Sequence, residues 1–449
     1  MDKLEPMTKV LRIFAAGLLL LVAQRVSAQA AFTFSEEAQR PERYETGGAT
    51  PLPAGCQAKL DKNADMIGLG LNTDWIGGAQ ISVPKYVDAV DCLVTAVREE
   101  RVPGCVLFVN RIWGDVFPLP IGNLMTDPTR VRVVYSTAYE TGELTGALTA
   151  VPLTLRAIER GDLRLDQTLG ELLPEVAGGG KEGITIEELL RGTAGLPCHV
   201  VPPYRLKSRE AAMRFLNELP RVSQSSDANV PVSRYSHLLL GLILENIYAT
   251  TFQELAEQEI FGPFGMVNTT FRPPVHWRQT TAPGPYLRWL GRMAWAEPTD
   301  ELTMALGRSA ASGGLITTAD DLGLFARSIF PGMSLDGAYL TTQTLELVMT
   351  PAKENKDCGV GYRLNGFGPG SIGFDAREGC SLWIQPSTFT YLVFLSNRNH
   401  PIERADAVAD VRNEVFPMIL GALEPLPAGV GLTPGTGSGV EYEPPPAPP

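Results

Sequence analysis

Acid–base or nucleophilic chemistry in this chain would rest on few side chains. Glu143 opens an apolar helical run, ELTGALTAVPLTLRAIER, and a carboxylate at a helix start lies in the favourable field of the aligned peptide dipoles. From there it could act as general base on a bound water, with Tyr235 or His237 of PVSRYSH as the matching acid. A lysine three residues after a serine would lie on one helical face with it and could activate its hydroxyl. Only Ser82-Val83-Pro84-Lys85 has that spacing, and it stands where a helix begins, so the serine reads as an ordinary cap. The six cysteines (Cys56, Cys92, Cys105, Cys198, Cys358 and Cys380) include no C-x-x-C pair, and no His/Cys cluster has metal-ligand spacing. Neither a metal nor a cofactor is therefore expected. In an oxidising compartment Cys358 with Cys380 is the first pairing to consider, and buried free thiols are the alternative.

The elements that must position these groups follow from periodicity. Residues 1–28 read as a cleaved signal peptide: Lys9 and Arg12, then IFAAGLLLLVA, then the small residues Val26-Ser27-Ala28. The apolar run is short for a bilayer, so a periplasmic or secreted protein with no stable membrane span after cleavage is expected. Residues 29–81 read as a linker or irregular N-terminal segment. A single domain is assigned to 82–424, and 425–449 is a disordered Pro/Gly-rich tail. Within the domain, Tyr86, Val90, Leu93, Val94 and Val97 repeat at helical spacing, with Pro84 suited to a first helical position. CVLFV and YLVFLS read as strands. The helix after Tyr139 buries Leu144, Leu148, Val151, Leu155 and Ile158, and Pro152 should kink it. A net charge of −12 with no basic run argues against nucleic acid as a partner.

The run Tyr139–Pro197 resembles the core of the serine β-lactamase and penicillin-binding-protein-like hydrolases, in their class C β-lactamase, DD-peptidase and esterase branch. Their pattern is Y-D-x-A-S-x-T-K, then G-K-L, then H-T-S-G-L-P. Further segments follow in the family's order: RYSHLLLGLILE, SAASGGLITTADDLGLFAR, CGVGY, CSLWIQP and FLSNRNHP. The resemblance implies an α+β fold, β-lactamase/transpeptidase-like, in which an antiparallel sheet built from both chain ends is flanked by helices. A mainly helical region is inserted, and the site lies in the cleft.

That family's acyl transfer uses a serine at a helix start and a lysine one turn on. A tyrosine of Y-x-N assists, and a strand carrying K-T-G or H-T-G lines the other wall. The oxyanion hole is formed by backbone N–H groups beside the serine and on that strand. Counting four residues on from Tyr139, or eighteen back from Gly161, puts Glu143 in the serine's place and Gly146 in the lysine's. A slip to Ser136 would put Tyr139 in the lysine's place. Tyr235-Ser236-His237 keeps the tyrosine without the amide, and Ser371-Ile372-Gly373 lacks the cation. The resemblance therefore implies a retained fold with acyl transfer lost, in an exported protein that binds a peptidoglycan-like peptide, a small-molecule ligand or a protein partner. The alternative is an active hydrolase built on Glu143 or on a misassigned serine.

Overall fold

The first and last strands of the chain's described part meet in the middle of one sheet. Strands β1 (Gly104–Arg111), β2 (Leu119–Met125), β3 (Val131–Arg132), β4 (Arg363–Leu364), β5 (Ile372–Asp375), β6 (Ser381–Gln385) and β7 (Thr390–Leu395) form a seven-stranded sheet in the order β3-β2-β1-β7-β6-β5-β4. Every neighbouring pair is antiparallel, and β1 runs against β7 from Val106↔Leu395 to Arg111↔Thr390. This is the sheet expected from the sequence. The computed structural model describes residues 52–67, 76, 79–112, 116–197, 200, 202, 205–222, 233–334, 337–353, 355–398, 400–401 and 407–426. The signal-peptide reading falls outside them, as does nearly all of the tail. Among the described residues no helix is long and apolar enough to cross a membrane.

β1 is apolar without alternation because it is buried on both faces. Val106 and Phe108 point into a large core shared with the helical region, and Cys105, Leu107 and Val109 point into a second core on the other face. That second core is closed by α2 (Val83–Arg98) and α6 (Ala407–Ala422). Ser82 and Lys85 serve this joint. The Ser82 N–H donates to the Ala422 carbonyl at 2.7 Å, and Lys85 Nζ donates to the Gly421 carbonyl at 3.0 Å. Lysine is favoured there because a helix C-terminus leaves carbonyls unpaired.

Three expectations need correction. Part of the stretch 29–81 is a helix, α1 (Ala54–Lys62), tied to α2 through Asn63–Asp91 and Arg98–Asp65 bonds of 2.7 and 2.8 Å. The helix after Tyr139 is broken rather than kinked. α3 (Leu144–Leu148) and α4 (Ala150–Arg160) are separated by Thr149 at φ −131°, ψ −75°. Pro152 has no N–H for the Leu148 carbonyl, so the helix gains nothing by passing through that turn intact. Cys358 and Cys380 do not pair: both are buried free thiols. The Cys380 thiol instead faces the Glu140 and Ser396 carbonyls.

Behind α3 and α4 lies α5 (Arg234–Tyr248), buried on nearly every side from Tyr235 to Leu244. A helix apolar all round belongs inside a core, and α5 carries Tyr235 and His237 there.

Candidate functional site

A two-residue ribbon aims the site. Tyr139–Glu140 pairs with Ile316–Thr317, and the Thr141 N–H continues the pairing to the Leu315 carbonyl at 2.9 Å. The chain then turns through Gly142, at φ +55°, and Glu143 becomes the N-cap of α3. The Glu143 side chain is only 6% exposed. Its backbone N–H donates to Glu378 Oε2 at 3.1 Å. Glu378 comes from the turn between β5 and β6, which is closed by the Ala376 N–H donating to the Cys380 carbonyl at 2.8 Å. A Cβ on Gly142 would fall within 3.0 Å of the Glu378 Oε2, Cδ and Cγ atoms. Glycine at 142 thus satisfies both the left-handed turn and the incoming carboxylate.

Charge around Glu143 is internally balanced. Arg234, the first residue of α5, forms an ion pair with Asp300 at 2.9 Å. Asp300 also caps the Glu301–Ala305 helix by accepting from the Thr303 N–H at 2.8 Å. Burial opposes the charge on Arg234, but Asp300, Glu378 and Glu143 outweigh it and hold the guanidinium above its ordinary value. Burial, then the neighbouring Glu378, pushes the Glu143 carboxyl up to about 8, with Arg234, Arg377 and Arg398 pulling the other way. Glu140 is likewise pushed up to about 8 by burial and Glu378, although the Gly314 N–H donates to it at 2.8 Å. Both carboxyls are thus held well above the ordinary carboxylate range.

One turn on, Gly146 leaves a space that His237 fills. A Cβ on Gly146 would lie within 3.0 Å of the His237 Nδ1, Cγ and Cβ atoms. His237 is fully buried, with its ring centroid 5.7 Å from that of Phe374 on β5. Neither ring nitrogen has a hydrogen-bond partner among the described residues. Burial pushes its pKa down to about 4, so the imidazole is neutral.

Gly146 and His237 are therefore brought together, with Glu143 one turn before Gly146 on the same helix. The other three sequence-predicted positions have their contacts elsewhere. Tyr235 Oη donates to the Val200 carbonyl at 3.0 Å, and its ring lies against Phe215. Ser371 Oγ accepts from the Phe367 N–H at 3.0 Å and donates to the Gly368 carbonyl at 2.8 Å, closing the turn before β5. Gly373 lets β5 approach β6, since a Cβ there would fall within 3.0 Å of the Leu382 carbonyl and the Trp383 ring. Ser136 belongs to a turn in which the Val134 N–H donates to Thr137 Oγ1 at 2.9 Å.

Glu378, Arg234, Asp300 and Glu140 were missed in the sequence. Arg234 precedes Tyr235 directly and was the one visible signal. Chemically, the arrangement offers a buried carboxyl whose pKa is raised and a buried imidazole whose pKa is lowered. The Cys380 thiol, which faces the Glu140 carbonyl, is pushed up to about 12 by burial, away from the thiolate form that makes a cysteine reactive. Among the described residues, no group of three His, Cys, Asp or Glu side chains could hold a metal ion.

Comparison with known proteins gives a consistent picture. The family model described as "Beta-lactamase" matches residues 129–415. A protein of Escherichia coli (strain K12) described as "Putative D-alanyl-D-alanine carboxypeptidase" is 22% identical over 334 residues, covering 65% of this chain and 75% of that one. Among solved structures, "A class C beta-lactamase" superposes with a TM-score of 0.59 at 20% identity, over 76% of this chain and 98% of that one. "EstCE1, a hydrolase with promiscuous acyltransferase activity" gives a TM-score of 0.56 at 18% identity, over 74% and 99%.

Proposed function

The chain belongs to the beta-lactamase family, and from that premise we propose that it is an exported member in which acyl transfer has been lost and the fold serves binding. One observation carries this reading: protein groups occupy both places that the reaction would need. Glu378 holds the N–H of the residue in the nucleophile's position, and His237 fills the space where an activating lysine would extend from residue 146. An oxyanion hole acts only if its donors are free to meet the developing charge. The name of the E. coli relative favours a peptidoglycan-like peptide as the ligand. Labelling the purified protein with a fluorescent penicillin and a fluorophosphonate, followed by intact mass, tests the proposal. No adduct on folded protein is expected, and a stoichiometric adduct at a cleft residue overturns it.

A second reading rests on the raised pKa of Glu143, since buried acids shifted towards neutrality are a mark of general-acid sites. It requires turnover of a p-nitrophenyl ester that disappears in Glu143→Gln. Turnover that survives the substitution removes Glu143 from the chemistry.

A further inference from the structure

From Arg272 to Ala296 the chain carries four arginines and a histidine but no acidic residue, on a protein whose net charge is −12. Contacts within the fold gather those arginines on one surface. Arg292 and Arg308 share a single carboxylate, Glu297, whose side chain is 1% exposed, whereas theirs are 47% and 49% exposed. Arg272 reaches the same place by donating to the Gly307 carbonyl at 3.4 Å. The turn Val275–Gln279, which bears Arg278, is joined to it through Thr281 and Trp295. Thr281 Oγ1 donates to the Trp277 carbonyl at 2.7 Å, Trp295 Nε1 donates to the Thr281 carbonyl at 2.8 Å, and the Trp295 N–H donates to Glu297 Oε1 at 3.4 Å. Arg278 and Arg288 are exposed and make no hydrogen bond or ion pair among the described residues.

The neighbouring acids do not reverse its sign. Asp300 and Glu301 follow in the chain and are paired with Arg234 and Arg205, at 2.9 and 2.8 Å. On the flank of Tyr286, one cavity is lined by Glu100 and Asp127 together with Arg98, Arg101, Arg130 and Arg398. Apolar groups stand among the arginines. Val275 is 81% exposed and Tyr286 58%, and Leu287, Trp289 and Leu290 are each partly exposed. The last four belong to a hairpin that pairs Tyr286 with Met293 and Leu287 with Arg292, its turn closed by the Gly291 N–H donating to the Leu287 carbonyl at 2.8 Å. Arg205 fixes the hairpin from the side: its guanidinium lies 5.5 Å from the Trp289 ring centroid and donates to the Trp289 carbonyl at 2.7 Å.

We propose that this surface docks on a bilayer containing anionic phospholipid, with the apolar side chains of the hairpin in the headgroup layer and the arginines against the phosphates. Aromatic rings interleaved with cations suit that interface. One buried carboxylate stands against Arg272, Arg278, Arg288, Arg292 and Arg308, so the surface is positive where the protein as a whole is negative. Attraction to an anionic bilayer would therefore come from this face and would orient the molecule. A hydrophilic polyanion would meet the arginines but leave Val275, Tyr286 and Leu290 in water. The contact is peripheral, since no helix among the described residues is long and apolar enough to cross a membrane. The proposal is independent of whether the Glu143 cleft has lost its chemistry.

Co-sedimentation of the full protein with vesicles of phosphatidylglycerol and phosphatidylcholine in equal amounts, and with phosphatidylcholine alone, tests it. Binding to the anionic vesicles is expected, with little to the neutral ones and a decline as salt is raised. Arg278→Glu combined with Arg288→Glu should weaken it at least about thirty-fold, the effect of two cations lost from such a surface. Leu290→Ser should weaken it about three-fold by removing apolar contact with the headgroup layer. All three side chains reach the surface, so the variants should fold, and circular dichroism checks this. Equal binding to the two kinds of vesicle, or unchanged affinity in the double arginine variant, overturns the proposal. Binding to heparin without binding to anionic vesicles, or full affinity in Leu290→Ser, also overturns it and assigns the surface to a polyanion instead of lipid.

Discussion

Gly146→Ala tests the packing on which the reading of the site depends. The added Cβ would stand within 3.0 Å of three His237 atoms, where ordinary contact begins near 3.4 Å. His237 is fully buried between α3 and Phe374 on β5 and has nowhere to retreat. Overpacking of this kind costs about 1–3 kcal/mol, and an overlap with three atoms belongs at the upper end. Alanine regains about 1 kcal/mol of helix propensity over glycine, leaving a net loss of about 2 kcal/mol. In a His237→Ala background the clash is gone, so the same substitution should stabilise by about 1 kcal/mol. The coupling between the two positions is then about 3 kcal/mol, far above the ~0.5 kcal/mol within which independent sites add. Urea unfolding of wild type, both single variants and the double variant, followed by tryptophan fluorescence, measures it. Equal destabilisation by Gly146→Ala in both backgrounds would refute the reasoning, and with it the claim that His237 occupies the lysine's space.

Two further outcomes follow from the same geometry. Glu143 has a folded pKa near 8 against about 4.3 when unfolded, so the unfolded state loses its proton first. Its contribution is fully present below about pH 4.3 and is lost as pH rises towards 8. Stability of the wild type should therefore fall across that window more steeply than that of Glu143→Gln, and identical slopes of the urea midpoint against pH would exclude the assignment. Gly142→Ala should cost about 2–3 kcal/mol, through its left-handed φ and the overlap with Glu378. Adding Glu378→Ala should recover the overlap but not the backbone strain, and a double variant no more stable than Gly142→Ala alone would show that Glu378 does not fill that space.

Much of the fold was legible because it is written in local patterns. The stripe Tyr86–Val97, the two-faced apolar runs of β1 and β7, and the turn at Gly161 each identify an element without knowledge of its neighbours. The position of Glu143 at a helix start was legible for the same reason, since the apolar run that follows it is one continuous stretch. What surrounds Glu143 was not. Glu378 lies 235 residues away, and Asp300 meets Arg234 only after the helical region has folded. No periodicity encodes such pairs. His237 read as a lost amide because its neighbours in the sequence are α5 residues, whereas its partner in space is a glycine on α3. α1 was hidden by its polar composition, its order coming from side-chain bonds to α2.

The pairing of β1 with β7 also bears on how the chain reaches its fold. The strand at Gly104–Arg111 has both faces apolar, and its central partner is the last strand of the sheet, nearly three hundred residues later. A chain emerging N-terminus first holds that strand without its central neighbour until Thr390–Leu395 has appeared. Sheets closed by such distant segments form slowly, because loop-closure entropy must be overcome before the contacts that offset it exist. During that interval the β7-facing side of β1 is an open apolar edge, the kind of segment from which intermolecular strand pairing starts.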